Sequence, residues 1–400
     1  MSDRRLVYVT ARLPQGDGEA FVVTEALALE RAGWEVTVVP VRGSGAVVHG
    51  DAKRLRSEAV PLVSARILWV AVAEAFANPR ASLGAFALLR SSRSARILLK
   101  NLSVLPKALW LGRYARRAGV QHLHAHWAST SSTMAMGAAR VAGISWSLTA
   151  HRWDIGENNL LRTKAGSARF VRVISEHGAR ELRQLVGDPQ WAPWILHMGV
   201  ALPAEVARPA SREGPLRVVT AARLVEKKGH AFLIEALGIL RSREVSVRLE
   251  LVGGGPLERA LREQVEQAGL SEDVRFLGTV SHDELLDRLA AGDWDVAALS
   301  SVVTASGELE GIPVSLIEAM AHGLPALGTS TGGIPELLGG GAGVLVPPAD
   351  PQALAEALER FARDEELRRE TGVAGRRRVE EQFDVDRIAR QLSARFTESA

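Results

Sequence analysis

"LRVVTAARLVEKKGHAFLIEALGILRSREVSVRLELVG", residues 216–253, decides the fold. "LRVVTAARL" reads as a strand, "GHAFLIEALGIL" as a helix and "VSVRLELVG" as a second strand, with a short basic loop after the first. Strand, helix and strand in that order make a crossover unit, and such units build parallel sheets covered by helices on both faces. Downstream, "GGGPLERALREQVEQAG" reads as a turn and a helix with Pro256 near its start. "DVRFLG", "DWDVAALS" and "LPALGTS" are short apolar runs suited to strands buried on both faces. The second half is therefore expected to form a doubly wound α/β sheet.

The first half follows the same plan. "RLVYVT" reads as a strand, "LPQGDGEAF" as a Gly-rich loop, about 20–32 as a helix and "WEVTVVPV" as a strand, with Gly33 suited to the helix C-cap. Residues 60–117 read as several helices, and further βα units come at "VQHLHAHW", "ISWSLTAH" and "FVRVIS". The stretch 187–215, rich in proline and polar residues, is the linker candidate. At 400 residues the chain exceeds one ordinary core. Two Rossmann-like α/β domains facing each other are expected over 1–200 and 201–380, with ligand at the carboxyl ends of their strands. A C-terminal helix over 381–400 is expected to cross back to the first domain.

Net charge is only +3, but it is unevenly spread. Residues 1–200 carry 26 Lys+Arg against 14 Asp+Glu, a balance of +12, and residues 201–400 carry 23 against 32, a balance of −9. Eight of the nine tryptophans also lie in the first half, so the two lobes are expected to meet different partners. With no cysteine, the chain has neither a disulfide framework nor a thiolate metal site, which favours a cytoplasmic setting. Leu6–Ala11, between arginines, is too short for a signal-peptide core, and the apolar run between Arg66 and Arg80 is broken by Glu74.

Two stretches carry the chemistry. In "ELEGIPVSLIEAMAHG" (308–323), Pro313 suits the first position of a helix running to about Ala321. Glu310 then lies in the loop before the helix and Glu318 on its second turn. Between them, unpaired N–H groups at the positive helix end suit an anion such as phosphate. In "TAARLVEKKGHAF", Arg223 ends a strand and Lys228 stands before Gly229 and the next helix, a pair of cations suited to a diphosphate. Glu310 and Lys228 are both expected in solvent-facing loops. Neither "GDGEAF" nor "GGGP" completes a dinucleotide fingerprint, and Gly253–Gly255 read as a tight turn.

Taken in order and spacing, "ARLVEKKG", "VGGGP", "VRFLG" and "ELEGIPVSLIEAMAHGLPALGTSTGGIPELL" resemble the retaining glycosyltransferases of family four. "LPQGDGEAF", "HAHWA", "SLTAHRWDI", "FVRVISE" and "ILHMGV" extend the resemblance over nearly the whole chain, closest to the colanic-acid-type polysaccharide branch. The resemblance implies the GT-B fold and retaining transfer of a sugar from a nucleotide-sugar donor to a glycan, lipid-linked or small-molecule acceptor. It implies catalytic roles for His151 and Glu310, and donor contacts from Arg223, Lys228, Phe276, Leu277, Gly311, Ile312 and Glu318. Gly16 or Gly18 would let the first loop approach the phosphates. "HMGV" (197–200) departs from the many relatives that have asparagine before this glycine. A nucleotide-sugar epimerase of the same fold and a non-catalytic two-lobed sugar-binding protein are the alternatives.

His122, His124 and His126 alternate, so on a strand they point to one face. They admit a rival metal site completed by His151 and Asp154, but that leaves the second half unexplained. His126, Trp127, Trp153 and Asp154 are the candidates for the acceptor pocket, and no cofactor, no metal and no nucleic-acid partner are expected. Residues 53–117 hold thirteen Lys+Arg against only Glu58 and Glu74, a balance of +11. Arginines spaced among Trp69, Trp110 and leucines suit peripheral contact with an anionic membrane on its inner face, or solvated arginines on ordinary amphipathic helices.

Overall fold

The computed structural model describes residues 4–13, 19–43, 51–204, 206 and 214–398, apart from the side chains of Ala20 and Trp153. The chain divides into two compact units, Met1–Gly199 with Val385–Ala400, and Val200–Asp384.

In the first unit, β1 (Arg5–Thr10), β2 (Glu35–Pro40), β3 (Arg56–Ser57), β4 (His122–His126), β5 (Ser145–Ala150), β6 (Val171–Val173) and β7 (Trp194–Ile195) form one sheet in the order β3-β2-β1-β4-β5-β6-β7. Every pairing is parallel. The central strands are buried almost throughout, as parallel strands covered on both faces must be. The helix Val385–Thr397 packs on the helix Ala20–Arg31, and Trp34 Nε1–H donates to Ser393 Oγ at 2.9 Å. The stretch read as several helices holds three, Ala65–Ala77, Pro79–Leu88 and Ala95–Ala118. Two start on serines, Ser64 and Ser94, whose Oγ atoms accept the N–H of Ile67 and Ile97.

The second unit has β8 (Leu216–Ala221), β9 (Val247–Val252), β10 (Val274–Gly278), β11 (Val296–Leu299), β12 (Ala326–Thr329) and β13 (Val344–Val346) in the order β10-β9-β8-β11-β12-β13, again parallel. In each sheet the strand order reverses once, between β1 and β4 and between β8 and β11. Connections leave such a pair in opposite directions and open a crevice at its carboxyl end, where ligands of α/β sheets bind. Lys228 and Glu310 stand in loops at the second of these points, and Trp127 follows β4 at the first.

Two boundaries differ from the sequence reading. Trp194 and Ile195 lie in the expected linker, yet they pair with Arg172 and Val173 as the last strand of the first sheet. The division between units falls after Gly199, where a Cβ would come within 2.6 Å of the Val385 backbone. Pro313 is the N-cap of the helix Val314–Ala321 rather than its first residue, because its ψ of 115° is still extended.

Candidate functional site

At the switch point of the second sheet, close backbone contacts weld three loops. Gly229, beside Lys228, has φ +65°, and a Cβ there would fall 1.9 Å from the Ser300 carbonyl oxygen beyond β11. Only glycine fits both the conformation and the gap. The same two loops are joined by Ser300 Oγ–H donating to the Gly229 carbonyl (2.9 Å) and Val302 N–H donating to the Lys227 carbonyl (2.9 Å). Gly332, beyond β12, has φ +60° and would place a Cβ 1.9 Å from the Glu310 carbonyl oxygen. The "GGIPE" glycines thus let the third loop grip the backbone that carries Glu310.

The consequence is an ion pair. Lys228 Nζ lies 2.5 Å from Glu310 Oε2, and both side chains are largely buried. This corrects the expectation of solvent-facing loops. Glu310 Oε2 makes no hydrogen bond of good geometry, so the contact is one of charge at short range. Ser301 Oγ and Thr331 Oγ1, neighbours of the welded loops in sequence, are buried with no hydrogen-bond partner among the described residues. Glu318, on the second turn of its helix, is buried, and its Oε1 lies 2.7 Å from His282 Nε2.

Arg223 lies two residues beyond the end of β8, in the loop rather than at the strand end expected from the sequence, with its side chain exposed and, among the described residues, no ion-pair partner. Phe276 and Leu277 lie on the edge strand β10, where the register shifts between Phe276 and Gly278, and Arg262 covers the Phe276 ring at 4.3 Å. The edge leaves backbone groups of β10 unmatched by a further strand. Gly311 and Ile312 follow Glu310, and nothing lies within 4 Å of where a Gly311 Cβ would stand.

The switch point of the first sheet is built around Glu19. Its carboxylate accepts N–H groups from Ala11 (3.1 Å), Arg12 (2.8 Å) and Leu13 (2.7 Å), and the indole N–H of Trp127 (2.6 Å). Trp127 holds φ +81°, a region bulky residues avoid, so its placement is imposed by its surroundings. Its ring lies 4.2 Å from that of His151, and His126 Nε2 meets His151 Nε2 at 2.7 Å. Burial lowers the pKa of both histidines well below the ordinary value, with the Arg172 charge adding to the effect. The two imidazoles are neutral, and one donates its proton to the other.

Asp154 and His126, expected from the sequence to contact the acceptor, are instead buried away from solvent. Asp154 is wholly buried, and its carboxylate accepts the N–H of Ala128 (2.6 Å) and of His151 (2.7 Å). His126 is wholly buried behind His151. Both hold His151, Asp154 through its backbone N–H and His126 through its ring. Lys164, which sequence reading passed over, donates to the carbonyls of Ala128 (2.9 Å) and Ser129 (2.8 Å) and fixes the loop after β4. Burial pushes Asp154 up to about 7 and Lys164 down to about 7. Gly16 and Gly18 lie outside the described residues, as does the side chain of Trp153.

The alternating histidines of β4 are engaged in the fold rather than free to bind a metal ion. His122 and His124 spend all four ring nitrogens on Ser145, Ser147 and Thr149. Ligand atoms of Glu25, His124 and His126 do lie within 4.8 Å of one another. Glu25, however, accepts from Tyr8 Oη–H (2.5 Å) and pairs with the Arg172 guanidinium (2.6 Å). A fixed cation already occupies that position, so this donor set does not fit a metal ion.

The two parallel doubly wound sheets match the GT-B fold of solved glycosyltransferases. The solved HepE protein of Anabaena, in complex with UDP, superposes with a TM-score of 0.71 over 98% of this chain and 98% of its own, at 18% identity, a likeness of fold alone. Residues 203–378 match the family described as glycosyl transferases group 1. WcaL of Salmonella typhimurium, provisionally assigned as a colanic acid biosynthesis glycosyltransferase, is 38% identical over 224 residues, 55% of this chain and 54% of its own. The GDP-mannose-dependent alpha-(1-6)-phosphatidylinositol monomannoside mannosyltransferase of Mycolicibacterium smegmatis is 30% identical over 299 residues, 68% of this chain and 76% of its own. The chain belongs to the group 1 glycosyl transferases. Its match spans about half the length of WcaL.

Proposed function

We propose that this protein moves a sugar from a nucleotide-sugar donor to an acceptor with retention of anomeric configuration. The observation that carries this reading is the buried Lys228–Glu310 pair at the switch point of the second sheet, where its strand order reverses. Lys228 and Arg223 neutralise the departing diphosphate, where negative charge grows as the glycosidic bond breaks. Glu310 and the backbone at Gly311–Ile312 take the sugar hydroxyls. Glu318, oriented by His282, takes the ribose, and the open edge at Phe276–Leu277 takes the base. The first unit is assigned the acceptor, with Trp127 as its apolar face and His151 as the residue serving the reaction. UDP in the HepE complex and the GDP-mannose dependence named for the mycobacterial relative favour a nucleotide-sugar donor without choosing its base.

A thermal-shift panel with UDP, GDP, ADP and TDP tests the donor reading. One nucleotide at about a hundred times its dissociation constant stabilises the protein by roughly 2.7 kcal/mol. No shift with any of the four counts against a nucleotide site. The anomeric configuration of the product, read by NMR, tests retention, and an inverted product refutes it.

We further propose that transfer needs no metal, because the two cations at the second switch point supply the positive charge. Dialysis against EDTA is expected to leave turnover unchanged. Activity abolished by EDTA and restored by Mn²⁺ would overturn this.

A further inference from the structure

The helices Ala65–Ala77 and Pro79–Leu88 lie as an outer layer of the first unit. Their inner faces meet the helices behind them through Ala71, Ala85, Leu109 and Val141. Their outer faces are apolar where solvent would select polar residues. Trp69, Val72 and Phe76, at helical spacings of three and four, are 72%, 56% and 84% exposed, and Leu83 on the next helix is 67% exposed. A contiguous apolar face of this kind marks an interaction surface rather than scattered exposure.

Charge selects the partner. Arg66, Arg80, Arg90, Arg93 and Arg96 are exposed on these helices and just beyond them, and none makes an ion pair among the described residues. From residue 59 to 117 the only acid is Glu74. Glu74 is wholly buried and satisfied by Arg116 at 2.6 Å, so among residues 59–117 no exposed carboxylate offsets these arginines. No helix among the described residues is long and apolar enough to cross a membrane.

We infer that this face docks on the surface of an anionic lipid bilayer, with Trp69, Val72, Phe76 and Leu83 in the boundary between headgroups and acyl chains and the arginines on lipid phosphates. Apolar burial and electrostatic attraction add in such a contact. Nucleic acid also attracts arginines and stacks on aromatic rings such as Trp69 and Phe76, but Val72 and Leu83 beside them offer it no stacking surface, whereas an acyl boundary accepts all four. The inference stands apart from the chemistry proposed above, and its test uses no donor.

The full chain is sedimented with phosphatidylcholine vesicles carrying graded phosphatidylglycerol. Wild type is expected to pellet with anionic vesicles at low salt and to be released as salt rises. One arginine near an anionic surface contributes about fivefold in partition, so changing Arg80, Arg90 and Arg93 to glutamine should lower binding about a hundredfold. Trp69→Ser with Phe76→Ser should lower it about tenfold or more at every salt concentration. These positions are exposed, so circular dichroism and melting of the variants should match wild type.

Wild type left in the supernatant at low salt overturns the inference. So does equal binding by all variants. A dimer in sedimentation equilibrium that Trp69→Ser with Phe76→Ser dissolves would assign the face to a second copy. Binding of single-stranded nucleic acid without vesicle binding would assign it to that class instead.

Discussion

Glu310→Gln and Lys228→Ala are each expected to lower turnover by about a hundredfold or more, measured as release of nucleoside diphosphate from the donor. In the proposed mechanism, the charge removed is one that the transition state meets and that water replaces poorly in a buried site. The two side chains pair at 2.5 Å. Donor phosphate would draw Lys228 away from that pair and free the carboxylate for sugar hydroxyls. The two losses should therefore combine to less than their product in the double variant, because each single change removes the same contact. The effects on stability should differ. Glu310→Gln keeps the shape and an amide oxygen that can still accept from the Lys228 ammonium, whereas Lys228→Ala removes the side chain and strands a largely buried carboxylate. Lys228→Ala should thus lower the melting temperature more. Wild-type turnover in either folded variant would remove that residue from the site.

The sequence shows that these residues stand at the ends of strands, but not that they touch. Lys228 and Glu310 belong to loops after β8 and β11, which are neighbours only because the strand order reverses there. Their burial depends on Gly229 against Ser300 and Gly332 against Glu310, contacts between segments about seventy and twenty residues apart. A glycine in a sequence announces a turn far more readily than the backbone it will be pressed against. His282 escaped notice for a similar reason. It opens a helix after β10 in "SHDELL", where Ser281 Oγ accepts the Glu284 N–H, and the local signal is only a helix start. Its nearness to Glu318 is a tertiary fact.

The alternation of strands and helices was legible because long buried strands carry near-continuous apolar runs. The two-residue strands β3 and β7 were not, since they are too short to show a period. From sequence, Asp154 is a candidate for the acceptor pocket. Its partners are backbone N–H groups of Ala128 and His151, which no residue pattern records.

Arg172→Met is expected to destabilise the protein by about 3–5 kcal/mol, the usual cost of removing one member of a buried ion pair. Arg172 stands in the middle of β6 with no solvent exposure, and Glu25, its partner at 2.6 Å, has none either. The guanidinium also donates through Nε to the Leu196 carbonyl (2.8 Å) and through Nη2 to the His197 carbonyl, tying β6 to the segment that ends the first sheet. With arginine gone, those carbonyls lose donors and the Glu25 carboxylate keeps only Tyr8. For a unit of this size each kcal/mol shifts melting by about 2–4 °C, so a fall of roughly 6–20 °C should be seen. The compensating variant separates charge from packing. Glu25→Gln together with Arg172→Met leaves no buried ion, and it should recover part of the loss because replacing both partners costs less than orphaning one. A double variant less stable than Arg172→Met alone would mean that the carbonyl contacts, rather than the Glu25 charge, set the cost.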